Sequence, residues 1–102
     1  MALFVTNVYN AKEMKSKTIG DQIRSLSFFA FNSENVVNVK RLVITAGANA
    51  IRISWSGDDP SATVGHYIAA NGNYTLDGSA NCQRLKLVNV TGGSLTTITL
   101  EV

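Results

Sequence analysis

The sequence predicts an all-β fold: an antiparallel β-sandwich, jelly-roll-like or Ig-like, with an extended N-terminal arm. Three observations carry this. Val, Ile and Thr make up 26 of the 102 residues, and β-branched side chains fit a pleated, half-buried surface. Several segments alternate apolar and polar residues with period two, as a strand with one buried face does. The segments are short and are separated by Gly, Asn and Asp turns with no helical pattern between them. Such an arrangement favours a sandwich or barrel over a parallel α/β sheet.

Residues 1–21 read as the arm and residues 22–102 as the sandwich domain. Leu3-Phe4-Val5 and Val8-Tyr9 are candidates for a short edge strand. The following stretch, Asn10 to Asp21, is polar. A helix over Ala11–Thr18 would turn only Met14, with Ile19 beyond it, towards a core, too little for a stable helix, so this stretch reads as irregular. Gln22–Phe31 reads as a strand with Leu26, Phe28 and Ala30 on one face and Phe29 and Phe31 on the other. Val36–Ala46 reads as a second, mostly β-branched strand interrupted at Lys40-Arg41. Ala50–Ser56 alternates most regularly, with Ile51, Ile53 and Trp55 pointing one way and Arg52, Ser54 and Ser56 the other. Gly57-Asp58-Asp59-Pro60-Ser61 is the strongest turn signal and holds the one proline, which cannot donate in a ladder. Val64–Ala70 and Asn73–Asp77 read as a hairpin around Asn71-Gly72, a dipeptide suited to a type I′ turn. Cys82–Val90 places Leu85 and Leu87 on one face, with Val88 and Val90 on the opposite parity, a sign of a bulge or of burial on both faces. After Gly92-Gly93, Leu95–Val102 alternates Ile98, Leu100 and Val102 with Thr97, Thr99 and Glu101. Ile51, Ile53, Trp55, Leu85, Leu87, Ile98 and Leu100 are the expected core between two sheets.

Composition narrows the function. Hydrophobic residues are 45% and charged residues 16% of the chain, which excludes a disordered tail. No run approaches the ~18 apolar residues of a membrane span. The first residues lack the basic start and small-residue cleavage pattern of a secretory signal, so the expected site of synthesis is a cytoplasm. Residues 1–51 carry a net charge of +3 and residues 52–102 a net charge of −1. Only Lys12, Lys15 and Lys17 cluster, with Glu13 among them. Nucleic-acid binders concentrate basic residues on one face, so nucleic acid is disfavoured as the main partner.

Tests for chemistry find no constellation. The single cysteine, Cys82, excludes an intramolecular disulfide and a Cys-based zinc site, and it reads as a small buried core residue. His66 stands alone, with no spacing rule linking it to Asp58, Asp59 or Asp77. Those aspartates, with Asn71 and Asn73, offer oxygen ligands for calcium, but they match no EF-hand spacing and suit turns instead. Gly92-Gly93 precedes a strand rather than a helix and lacks a following Lys-Ser/Thr, so it is no phosphate loop. Trp55, Tyr67 and Tyr74 would make a sugar-stacking platform only if exposed, and Tyr67 is the best placed. The expectation is a protein that is not an enzyme and has no cofactor or metal.

One resemblance adds to this reading. Its elements are Ala50-Ile51-Arg52-Ile53-Ser54, then Gly65-His66-Tyr67-Ile68, then Gly72-Asn73-Tyr74-Thr75-Leu76, followed by Leu85-Lys86-Leu87-Val88 and the glycine turn before the alternating last strand. In this pattern the chain from Ala48 onward resembles small virion structural proteins of tailed bacteriophages, of the capsid decoration (cement) or accessory type. The resemblance covers about half the chain. It implies a non-enzymatic β-sandwich that assembles into a virion in the host cytoplasm, forms a homo-oligomer and bridges capsid subunits. The major capsid protein or another virion protein would be its partner. A tail or fibre accessory, or a carbohydrate (receptor)-binding module, is the alternative. The candidate partner-binding residues are Lys12, Lys15, Lys17, His66 and Tyr67.

Overall fold

Alternating burial along the strands builds two sheets around one core in the computed structural model, which describes residues 9–102. The first sheet contains β1 (Ala11–Ile19), β3 (Arg41–Thr45), β6 (Asn73–Asp77) and β8 (Ser94–Glu101), in the order β1-β8-β3-β6. The second contains β2 (Arg24–Ser25), β4 (Ile51–Ser54), β5 (His66–Ile68) and β7 (Lys86–Asn89), in the order β2-β7-β4-β5. Every pairing is antiparallel. A 3₁₀ turn over Leu26–Phe29 and two single-turn helices, α1 (Ser33–Val37) and α2 (Ser79–Gln83), lie between strands. Leu42, Ile44, Ile98 and Leu100 of the first sheet and Ile51, Ile53 and Leu87 of the second belong to one fully buried cluster. This arrangement is compatible with a β-sandwich.

The pairing has a simple rule. Each strand counted from the N-terminal side pairs with its counterpart counted from the C-terminal side: β1 with β8, β2 with β7, β3 with β6 and β4 with β5. Two further pairings, β3 with β8 and β4 with β7, close the sheets. The crossings between sheets keep this ladder going. Asn71 N–H donates to the Gly47 carbonyl (2.8 Å) and Ala46 N–H to the Gly72 carbonyl (2.9 Å), so the β3–β4 and β5–β6 connections run side by side. Asn89 N–H donates to the Gly20 carbonyl (2.9 Å) at the corresponding place between the outer pairs. Ser94 is fully buried at this corner. Its hydroxyl donates to the Asn49 carbonyl (2.6 Å) and accepts from the Gly47 N–H (2.9 Å). Gly47 is required by the close approach, because a Cβ there would lie 2.5 Å from the Leu95 carbonyl oxygen.

Six of the seven expected core residues are almost fully buried, and Trp55 is half-buried at the rim of the core. Four local expectations are corrected. Residues 11–19 are not irregular: they form β1, an integral strand of the first sheet, so the sheets begin before residue 22. The expected strands at Leu3–Val5 and Val8-Tyr9 lie outside the described residues, apart from Tyr9. In Gln22–Phe31 only Arg24–Ser25 is a strand. The buried pair Leu26 and Phe29 is spaced by three, which a 3₁₀ turn places on one side, and Phe29 then stacks on Phe31 with ring centroids 6.1 Å apart. The segments read as the starts of two long strands are helical. Asn32 caps α1 by accepting from the Glu34 N–H, an N-cap bond that favours the helical turn, and β3 begins only at Arg41. Cys82 lies in α2, before β7. Finally, β5 and β6 are not a hairpin. Asn71, at φ 60°, and Gly72 carry the chain from one sheet to the other.

Val88 is buried on the outer parity of β7, so the mixed parity of Cys82–Val90 reflects burial on both faces. Replacing Ile53 or Leu87 by Ala is expected to cost about 2–5 kcal/mol of unfolding free energy. Ser94→Ala, which strands two backbone groups without a partner, should cost about 1–3 kcal/mol. Denaturant midpoints at constant slope measure all three, and near-neutral values would place the register elsewhere.

Candidate interaction surfaces

Among the described residues the strand orders leave the pair of sheets two open sides, one between β1 and β2 and one between β5 and β6. The sequence-derived candidates divide between them. Lys12, Lys15 and Lys17 lie on β1, whereas His66 and Tyr67 lie on β5, so the fold does not bring them together.

On the β1 side the register decides where charges go. Glu13 is opposite Leu100, Lys15 opposite Ile98 and Lys17 opposite Thr96, all inward-facing positions of β8. Lys12 sits in the irregularity between Ala11 and Glu13. Inward-pointing charges on an edge strand obstruct pairing with another chain. Lys17 lies 5.9 Å and the Arg24 guanidinium 4.2 Å from the centroid of the Phe28 ring, so this half-buried aromatic is flanked by two cations. Arg24 and Phe28 were not identified from sequence, because their association depends on a 3₁₀ turn that no periodicity announces. Glu13 faces α1: its carboxylate accepts from the Asn35 side chain (2.9 Å) and from the Asn32 N–H (2.8 Å). These bonds, with the nearby Lys15 charge, hold the Glu13 carboxyl below its ordinary value of 4.5.

On the β5 side, aromatic rings bridge the two sheets. Trp55 stacks on His66 with centroids 4.3 Å apart and on Tyr74 of β6 at 5.5 Å. His66 is opposite Ile53 and Tyr74 opposite Ile44, so both rings project inward from edge strands and meet the tryptophan between them. His66 is exposed although its position opposite Ile53 is an inward one. Tyr67, on the outer face of β5, is 57% exposed. The Arg52 guanidinium lies 5.2 Å from the centroid of its ring.

Residues 56–65 fold over the outer face of the second sheet. Arg52 donates to the Ala62 and Gly65 carbonyls, Arg84 to the Ser56 carbonyl, and Ser54 to the Asp58 carbonyl. Lys86 donates to the Gly57 carbonyl and pairs with Asp59 at 2.7 Å, while Asp58 accepts from the Ser56 hydroxyl. The two aspartates thus work within the turn. Among the described residues no group of three His, Cys, Asp or Glu side chains is placed to hold a metal ion.

Cys82 is fully buried, and its thiol donates to the Leu76 carbonyl at 3.3 Å. Burial, reinforced by the Asp77 charge, pushes the thiol up to about 11. A thiol so held is a poor source of thiolate, which fits a core residue.

The outer face of the first sheet is nearly uncharged. Ser16, Thr97, Thr45 and Asn73 form one cross-strand row, and Met14, Thr99, Val43 and Thr75 the next. The Ser16 and Thr97 hydroxyls are bonded at 2.7 Å. At one end Arg41 pairs with Glu101 at 2.6 Å and lies 4.0 Å from the Tyr9 ring centroid. Compared with known proteins, the chain matches no family model, no curated sequence and no solved structure. Among the described residues no helix is long and apolar enough to cross a membrane.

The Glu13 contacts have a pH signature. A carboxyl held below its ordinary value contributes stability that is complete above pH 4.5 and is lost as pH falls through the lower folded value. Glu13→Gln should therefore lower stability at neutral pH and converge with the natural chain in acid, which flattens the acid limb of the stability–pH curve. Thermal melts between pH 7 and strongly acidic buffer test this, and parallel curves for both proteins would contradict it.

Proposed function

We propose that this chain is a non-enzymatic virion structural protein, a jelly-roll decoration protein that binds and bridges capsid subunits. The strand order carries this reading. Eight strands paired as a folded-over ladder, in orders β1-β8-β3-β6 and β2-β7-β4-β5, favour a jelly roll over an Ig-like sandwich, which divides seven or nine strands differently. Jelly rolls serve as viral capsid and lectin domains, among others. Fold alone supports this by analogy, and the likeness of residues 48–102 to small phage virion proteins points the same way. Lys12, Lys15 and Lys17, joined by Arg24, give the β1 margin a basic character suited to an acidic partner surface. Complementary charge there would chiefly set approach and register.

Tyr67 favours a second reading, a carbohydrate-binding module of a tail or fibre, because its exposed ring is backed by Arg52. Aromatic rings with one wet face suit recognition surfaces.

Mass spectrometry of purified virions from the source phage tests the first reading. The chain is expected in many copies per particle, with attachment reduced when Lys12, Lys15 and Lys17 are all changed to Glu. Absence from particles would overturn it. A few copies per particle together with glycan binding by the isolated protein, lost in Tyr67→Ala, would favour the second.

A further inference from the structure

Among the described residues β1, β6, β2 and β5 lie at the edges of the two sheets, and all but β6 are blunted against further pairing. β1 carries Glu13, Lys15 and Lys17 on inward positions and a register irregularity between Ala11 and Glu13, while β2 and β5 are only two and three residues long. Inward-pointing charges, bulges and shortness keep an edge strand from recruiting another chain. β6, Asn73-Tyr74-Thr75-Leu76-Asp77, has none of these. It pairs with β3 along its whole length without a register shift, and its inward positions are Tyr74 and Leu76, opposite Ile44 and Leu42.

The ladder fixes which backbone groups β6 leaves open. Along an antiparallel strand, successive residues turn their N–H and carbonyl groups alternately towards a given neighbour and away from it. Ala46 N–H donates to the Gly72 carbonyl at 2.9 Å and Gly78 N–H to the Lys40 carbonyl at 2.8 Å. These bonds flank β6 on the parity of Tyr74 and Leu76, so those two residues bond to β3. Asn73, Thr75 and Asp77, all exposed, then turn their backbone groups to the open side. Among the described residues only the Asp77 carbonyl is engaged there, by the Asn81 side-chain amide at 3.0 Å, and a carbonyl can accept a second bond.

We propose that β6 pairs with β6 of a second copy, antiparallel about a two-fold axis at Thr75, and so joins their two first sheets into one continuous sheet. Parity and charge select this axis. With Thr75 opposite Thr75 and Asn73 opposite Asp77 of the second copy, every open residue of each strand meets an open residue. An axis at Tyr74 or Leu76 would leave one open residue of each strand unmatched. An axis at Asp77 would set two carboxylates face to face, and like charges directly opposite are destabilising. In the Thr75 register each Asp77 meets the side-chain amide of an Asn73, a donor. The two aspartates are four residues apart along the strand, about 14 Å, beyond the Debye length of about 8 Å. On the inner face each Tyr74 meets a Leu76, so apolar side chains meet across the axis. The same patch serves both copies, as a two-fold interface requires. This self-association does not rest on the virion reading.

Sedimentation equilibrium of the full-length chain tests the pairing. The natural chain should form a dimer. Thr75→Lys, which sets two like charges against each other on the axis, should weaken dimerisation at least about tenfold. Asn73→Lys sets its charge opposite Asp77 and should dimerise at least as well as the natural chain. Both positions are exposed on an edge strand, so neither lysine disturbs the core. A natural chain that stays monomeric even at millimolar concentration, or a dimer that Thr75→Lys leaves intact, would overturn the proposal. A dimer that both lysines weaken alike would overturn the axis. A second measurement adds no charge. Cα atoms of a bonded antiparallel pair lie about 5.5 Å apart, a separation that a disulfide spans. Thr75→Cys should therefore form an interchain disulfide at least about tenfold faster than Thr18→Cys, which is also exposed but lies on β1; Cys82 is buried. Equal rates would contradict the pairing.

Discussion

The structure depends on the return of its last two strands. β8 lies between β1 and β3, and β7 lies between β2 and β4. Among the described residues neither β1 nor β2 has another strand partner in its sheet, so these pairings form only once residues 86–101 are in place. These pairings join residues far apart in sequence. Their closure entropy must be overcome before burial repays it, so partial structures gain little and the sheets should form cooperatively. The crossing at Gly47, Asn49 and Ser94 locks this arrangement. One buried hydroxyl satisfies an N–H and a carbonyl of the β3–β4 connection from the first residue of β8.

Once the ladder is folded over, two sides and one end remain to be closed, and the chain closes each differently. Between β1 and β2 it uses charges, with Glu13 on α1 and Lys17 and Arg24 around Phe28. Between β5 and β6 it uses the His66–Trp55–Tyr74 stack. At the end it uses two short helices around an apolar groove. The first sets Lys17 and Arg24 around Phe28 on the β1 side. The second leaves Tyr67 on the outer face as the exposed aromatic. The third leaves Val37 exposed beside an apolar depression. The proposed roles follow from these closures, because each places a different chemistry at the surface.

The sequence made much of this legible where one face of a strand is buried between two neighbours. Ile51 with Ile53, and Ile98 with Leu100, alternate cleanly because they sit in central strands, β4 and β8, whose outer positions are polar. β1 was illegible for the opposite reason. As an edge strand it carries the charges of Glu13, Lys15 and Lys17 on inward positions and an apolar Met14 between polar groups on outward ones, so no alternation survives. α1 and α2 are single turns, too short for a helical period to show. The Asn71-Gly72 dipeptide signalled a sharp reversal, but local sequence cannot say whether a turn returns to the same sheet or crosses to the other. Lys12, Lys15, Lys17, His66 and Tyr67 could be named as candidates. Their separation onto opposite sides could not, because it is set by strand order, a property of residues distant in the chain.

Native-state hydrogen exchange along β8 tests the central pairing most directly. A strand bonded on both sides protects successive amides, whereas an edge strand protects only alternate ones. With β8 between β1 and β3, amides throughout Leu95–Leu100 should exchange slowly and share the dependence on denaturant of global unfolding. Fast exchange at every second residue of this stretch would mean that β8 has only one neighbour, and the folded-over ladder would then be wrong.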